Sequence, residues 1–469
     1  MVSNPADLTL VELLPLLAAG SLAARELVDA CIDRVERLDP LVKAFVTPTF
    51  ERARSAAAAV DEARVAGRPL GPLAGVPLGL KDLYHTAGVA TTASSKVLAD
   101  FVPDSDATVW ARLRDAGAVL LGKLNTHEFA AGTSSPPTTN PWDTDRNPGG
   151  SSGGSAAALA ARMLPAALGT DTAASIRLPA AVCGVAGLKP TWGRCSRHGV
   201  IPLAWSLDCP GPMARRLLDV SLLLGVMAGV DPSDPTTVDA PAGPYPTAAP
   251  EGLAGVRIGL PDRFFWDGID ADIERVAREG VDRLAGLGAE IVDVAMPPST
   301  DAMLGGQPGP LVLTILAEAA GWHRPLMQAK GPLYSPEVLS LLEVGETVSG
   351  IDYADYQYRR ATWAREWRQI FAAAGLDAVA SPVVPAPPGP QTPSQSAYAG
   401  PSFELTKPWS LNGFPALSVP VGLDGRGLPV GLQLAGLPLD EARLLEIGIA
   451  LDEDIAFYRR RPPILDAAG

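Results

Sequence analysis

Apolar residues recur at helical spacing through residues 8–38 (Leu8, Leu10, Leu13 and Leu14, then Leu27, Val28, Cys31, Ile32 and Val35), which predicts two amphipathic helices. Ser21, with Glu26 soon after it, is placed to cap the second. Residues 50–66 read as a further helix stopped at Gly67. Residues 72–82 are apolar and extended, with Lys81 near the end, and residues 109–121 read as helix, glycine, strand. An Ala-rich helix is expected over 155–161, and a loop over 192–212. Further on come a strand (256–260), an amphipathic helix (271–287), a strand (290–294), a Tyr-rich helix (353–367) and a strand (378–384). Residues 386–395 form a loop placed to cover something, and 408–436 read as two strands around an Asp424-Gly425 turn. This alternation predicts an α/β chain: a mixed or parallel sheet with helices packed on it.

Composition narrows the class. The 469 residues are 47% hydrophobic with 47 Gly and 46 Pro, which describes a compact, turn-rich globular protein. A formal charge of −14 and a pI near 4.8 argue against a phosphate-backbone partner, so no nucleic acid is expected. Four cysteines (Cys31, Cys183, Cys195, Cys209) lack CxxC or metal-ligand spacing and read as reduced thiols. The N-terminal apolar run is broken by Glu12 and Pro15 and lacks a basic flank, unlike a signal peptide, and other apolar runs are too short to span a membrane. A cytoplasmic chain without a membrane association, a monomer or homodimer, is the expectation.

The chemistry concentrates in residues 148–190, PGGSSGGSAAALAARMLPAALGTDTAASIRLPAAVCGVAGLKP. Ser151 sits in a glycine-rich turn and Ser175 in a second small-residue turn, joined by a segment too apolar for a flexible linker. Lys81 is unusual because a charge at the end of a buried strand is costly, although a lysine reaching outward to solvent is the ordinary alternative. The segment 117–124, GAVLLGKL, approaches the phosphate-loop pattern but has Leu124 where Ser or Thr is required. His127 and Glu128 lack the HExxH context of a zinc site, so no metal or other cofactor is expected.

The blocks PGGSSGGSAAA, GTDxxxSIRxPAxxxGxxGLKPT and GVPLGLKD together resemble the amidase signature family, and weaker similarity extends over roughly residues 8–453. One departure touches the chemistry: the family's usual Gly-Gly-Ser is here Ala173-Ala174-Ser175. The resemblance implies one α/β domain (1–469) with a mixed sheet flanked by helices on both faces. Its parts would be an N-terminal helical layer (1–70), a catalytic core (71–230), a variable substrate-side region (251–380) and a C-terminal return to the sheet (381–469).

It also implies hydrolysis of amides by a Ser, cis-Ser, Lys triad, with Ser175 as nucleophile, Ser151 as bridging serine after a cis peptide, and Lys81 as base. The backbone N–H groups of Thr172, Ala173, Ala174 and Ser175 would hold the oxyanion. Asp171, Ser152, Ser155 and Arg177 are expected to support the turns, and Gly132, Thr133, Cys209, Met303 and Gln307 to lie on the substrate pocket. Trp322 and Tyr334 are further wall candidates, equally plausible as core. The expected partner is a small-molecule amide or carbamate, as for aryl-acylamidase-like or urethanase-like members. Alternatives are a carbamate or ester hydrolase, the glutaminase subunit of a transfer-RNA-dependent amidotransferase, and a silent binding protein closed by the two alanines. A Ser-His-Asp triad using His198 or His85 is the runner-up mechanism, without a GxSxG elbow to support it.

Overall fold

The computed structural model describes residues 4–305, 309–391 and 403–467. Eleven strands form one sheet: β1 (Phe45–Pro48), β2 (Pro77–Lys81), β3 (Val119–Leu124), β4 (Ala166–Asp171), β5 (Ala186–Lys189), β6 (Cys209–Ala214), β7 (Arg257–Pro261), β8 (Glu290–Val294), β9 (Ala378–Pro382), β10 (Ala416–Leu423) and β11 (Pro429–Ala435). Their spatial order is β1-β3-β2-β4-β6-β5-β10-β11-β9-β7-β8. The sheet is mixed: β2 runs parallel to β3 and β4, and β7 to β8 and β9, while β6, β5, β10 and β11 pair antiparallel. Helices flank it, and the C-terminal hairpin β10–β11 sits between β5 and β9, joining the strands of the first half of the chain to those of the second.

Most elements follow from their apolar pattern, and the departures have identifiable causes. The second helix begins at Ala24, not beside Ser21; its first N–H groups, Ala24 and Arg25, donate to the Asp61 carboxylate at 2.8 and 2.9 Å. A side chain from the neighbouring helix Phe50–Val65 therefore does the capping that a local serine was expected to do. Residues 192–212 are not all loop, since β6 begins at Cys209 and all its residues are buried. Its sequence, CPGPMA, argues against a strand because proline supplies no N–H. Only β4 pairs with β6 along its length, whereas β5 meets it only at Met213 and Ala214, so Pro210 and Pro212 break no ladder on that side. The Tyr-rich helix extends over Gly350–Ala374, anchored in its second half by buried Trp363, Ala364, Trp367 and Phe371.

Candidate active site

β2 and β4 run parallel, with Leu80 level with Leu168, so their C-terminal ends open on the same edge of the sheet. That edge is where α/β sheets place their ligands. Lys81, the last residue of β2, is fully buried. Its Nζ donates to Ser151 Oγ at 2.8 Å and to Thr170 Oγ1 at 2.8 Å. Burial draws its pKa down to about 7, opposed by the negative charges of Asp208 and Asp171. A neutral amine facing a serine hydroxyl is a base ready to accept a proton.

Ser151 follows a cis peptide at Gly150-Ser151. The glycines here are required by space and angle: Gly149 has φ +75°, and a Cβ on Gly150 would lie 2.2 Å from the Ser134 carbonyl oxygen. Ser135 holds the turn from below, donating from Oγ to the Ser151 carbonyl at 2.9 Å and accepting from Gly153 N–H at 3.0 Å. Ser152 Oγ lies 3.3 Å from both the N–H and the carbonyl of Thr170, and Ser155 Oγ donates to the Leu168 carbonyl at 2.9 Å. Both serines thus tie the buried helix Gly153–Ala160 to β4.

Ser152 N–H donates to the Ser175 carbonyl at 3.2 Å, which locks the two serine turns together. Ser175 is 6% exposed and stands just before the helix Arg177–Cys183. Asp171 closes β4 and receives Arg177 Nε and Nη2, each at 2.9 Å, plus the Ile176 and Arg177 N–H groups. Burial raises the Asp171 carboxyl, but the charge and hydrogen bonds of Arg177 more than offset it, leaving it below its usual range. Arg177 also donates to the Ala173 carbonyl, Ser410 Oγ, the Thr406 carbonyl and Gln433 Oε1. Neither Ala173 nor Ala174 has positive φ, so both alanines sit at angles open to an L-residue, with their N–H groups in the turn.

In front of Ser175 lies a cavity of about 100 Å³. Gly132, Thr133 and residues 172–175 form one side, and Ile315, Leu316 and Ala319 of the helix Pro310–Lys330 another, with Phe403 and Leu342 completing a largely apolar wall. No histidine lines it among the described residues, and His198 lines a different cavity. Met303 packs in the core with Trp363, Trp367 and Trp409 and does not line the cavity. Cys209 is buried at the head of β6, level with Asp171, its Sγ 4.0 Å from Lys189 Nζ. Gln307 and part of the loop 386–395 lie outside the described residues. Trp322 is 37% exposed and Tyr334 is buried against Phe129 and His323; neither faces this cavity. Lys123 of the phosphate-loop look-alike is buried in β3, 3.2 Å from Asp82, and donates to the Tyr84 carbonyl. Thr170, Ser135 and the cavity-lining Ile315, Leu316 and Ala319 were not singled out from sequence, although the helix that carries these last three falls in the expected substrate-side region 251–380. A strand threonine and a helix's apolar stripe carry no signal that separates them from ordinary core.

The sheet edge and its buried lysine-serine pair belong to a class, the α/β enzymes that hydrolyse amides. The chain is a member of the Amidase family, whose model matches residues 26–445. It is 42% identical to one of the subunits of the glutamyl-tRNA(Gln) amidotransferase from Chloroflexus aurantiacus, over 96% of this chain and 97% of that protein. Among solved structures it resembles the native peptide amidase of Stenotrophomonas maltophilia (TM-score 0.85, 32% identity, 97% and 98% of the two chains covered). It also resembles 6-aminohexanoate cyclic dimer hydrolase (TM-score 0.86, 29% identity, 98% and 99% covered). The fold is that of these relatives, and the curated sequence relative carries the name of the amidotransferase-subunit alternative, whereas the two solved structures are named as hydrolases.

The expected partners need correction. A small-molecule amide or carbamate as sole partner, with no nucleic acid and a monomer or homodimer, does not fit a chain so similar to one component of an enzyme named for a tRNA. Net charge misled because it is a sum over the whole chain and excludes neither a local basic surface nor a partner that carries one. Among the described residues no helix is long and apolar enough to cross a membrane.

Proposed function

We propose that this protein is the amide-hydrolysing subunit of a tRNA-dependent amidotransferase, releasing ammonia from glutamine through an acyl-enzyme on Ser175. A cytoplasmic location goes with this reading. Ser175 Oγ attacks the amide carbon while its proton passes to Ser151 and from Ser151 to Lys81. The oxyanion is met by backbone N–H groups of residues 172–175. Collapse breaks the carbon–nitrogen bond, and Ser151 returns a proton to the leaving amine, Lys81 supplying it in turn. Water then attacks the ester along the same proton path and frees Ser175.

The observation that supports this chemistry most directly is the fully buried Lys81, with its pKa drawn down to about 7 and its Nζ 2.8 Å from Ser151 Oγ. The role within an amidotransferase is supported by similarity to the Chloroflexus protein over 96% of the chain.

Ammonia release from glutamine by the chain alone and with co-expressed amidotransferase partner subunits tests both parts. Release that rises with the partners is expected. Hydrolysis of apolar-acyl amides, esters or carbamates with none of glutamine, partners present or absent, would overturn the amidotransferase role and leave the acyl-enzyme chemistry standing. No turnover and no labelling of Ser175 by a fluorophosphonate would overturn both.

A further inference from the structure

Resting on the Ser175 reading above, we propose that Asp208 is a positioning residue that holds the oxyanion turn in place and sets the charge balance of Lys81. Asp208 stands in the loop just before β6, and its carboxylate gathers two segments, the turn at Thr172 and the stretch Leu203-Ala204. It accepts from Thr172 Oγ1 at 2.6 Å, from Leu203 N–H at 2.9 Å and from Ala204 N–H at 3.0 Å. Thr172 opens the turn whose N–H groups face the reacting carbonyl, and Leu203 is a wall of the cavity in front of Ser175. One carboxylate therefore ties the oxyanion turn to the wall of the acyl cavity.

Its second role comes from the charges around it. Two other carboxylates stand near Lys81, and each has its own counter-ion: Asp171 is forked by Arg177 at 2.9 Å, and Asp82 lies 3.2 Å from Lys123 of β3. No cation stands within ion-pair distance of Asp208 among the described residues; Arg197 acts on it only at longer range, and Lys189 of β5 is turned to Cys209. Asp208 and Thr170, which accepts the second Lys81 hydrogen bond, line the same cavity of about 310 Å³, with Leu83, Ile201 and Trp205. Asp208 is thus an uncompensated negative charge beside the base. Burial pushes its own carboxyl up to about 6, and the hydrogen bonds from Thr172, Ala204 and Leu203 hold it from rising further.

The test measures the rate at which a fluorophosphonate labels Ser175 as a function of pH, which needs no knowledge of the substrate. In the wild type an acid limb near the Lys81 pKa is expected. Asp208→Asn removes the charge that favours protonated Lys81, so its limb is expected about one pH unit lower, the small end of the effect of a nearby charge. Thr172→Val keeps that charge but frees the turn; labelling is expected to fall about tenfold or more at every pH with the limb in place, short of the roughly hundredfold or greater loss that removing an oxyanion donor outright costs. Thr172→Ser, which keeps the hydroxyl, is expected to restore the rate. A merely structural Asp208 would lower the rate at all pH values and leave the limb unmoved. That outcome, or wild-type labelling by Thr172→Val, overturns the proposal. If Asp208→Asn does not fold, the two Thr172 variants decide the positioning role. A wild type that is never labelled at Ser175 refutes the nucleophile assignment itself, and this inference with it.

Discussion

A lysine closing a buried strand acts as a base at neutral pH only where its surroundings disfavour the charge, and burial does this to Lys81. The same shift has a consequence for stability. Its folded pKa of about 7 lies below the unfolded value of 10.5, so between those two values the unfolded chain binds more protons and stability rises with pH. Below that window both states are protonated and the full penalty remains, on the order of 5 kcal/mol before the hydrogen bonds to Ser151 and Thr170 are counted. Lys81→Met is therefore expected to melt no lower than wild type at pH 6, with its advantage shrinking toward pH 10, while labelling and hydrolysis fall about a thousandfold or more. Calorimetry across that range checks it, and a pH-independent loss of stability would show that the amine carries no such penalty. Ser175→Ala is expected to abolish hydrolysis and fluorophosphonate labelling with an unchanged melting profile, since one oxygen is lost from a site that packing does not depend on; residual turnover at the wild-type rate would exclude Ser175 as nucleophile. Lys81 at the end of an apolar strand, Ser151 in a glycine-rich turn and Ser175 in a small-residue turn could be picked out in the sequence, but their expected roles came from the resemblance to the amidase signature family and not from local pattern. Thr170 and Asp208 were harder to read, because a threonine in a strand and an aspartate before a proline-rich strand look like structure alone.

At the scale of elements, the turn 172–175 is held by the side chains around it more than by its own residues. Arg177 is fully buried, forks Asp171 and braces the Ala173 carbonyl together with Ser410. Arg177→Met leaves Asp171 buried without its counter-ion, and a loss of about 3 to 5 kcal/mol in unfolding free energy is expected, read by denaturant titration. A loss under about 1 kcal/mol would mean that Asp171 is satisfied by backbone N–H groups alone. The alanines ask a different question. With φ not positive at either, Ala173 and Ala174 present the same N–H donors as glycine, and both line the cavity in front of Ser175. Restoring glycine at both positions is expected to change kcat/KM between acyl groups of different size more than it changes the best rate, which stays within about tenfold, ~1.4 kcal/mol. Activity that appears only in the double glycine variant would mean that the methyls close the site. The departure from glycine was visible in the sequence; the bracing of the turn was not, because although Asp171 and Arg177 flank it, Ser410 reaches the Ala173 carbonyl from a distant segment.

Length could not decide how the molecule is divided, and the sheet shows why the amidase residues and the C-terminal block must be considered together. β10 and β11 stand in the middle of the strand order, and Arg177 takes partners from Thr406, Ser410 and Gln433, all far along the chain. The local β-α-β patterns of each half were readable, but the pairing of β5 with β10, between Lys189 and Ala416, is a long-range contact that no periodicity encodes. Between the halves, residues 247–249 of the Pro-rich connector are exposed, where a chain break meets the least resistance. Fragments 1–248 and 249–469 are therefore expected to be inactive and aggregation-prone when expressed singly, since each exposes an unpaired edge where β5 and β10 should meet. Co-expressed, they are expected to assemble into a complex that a fluorophosphonate labels at Ser175. Labelling of the isolated 1–248 fragment at the wild-type rate would show that the catalytic turns are held without the C-terminal strands, contrary to the bracing of Arg177.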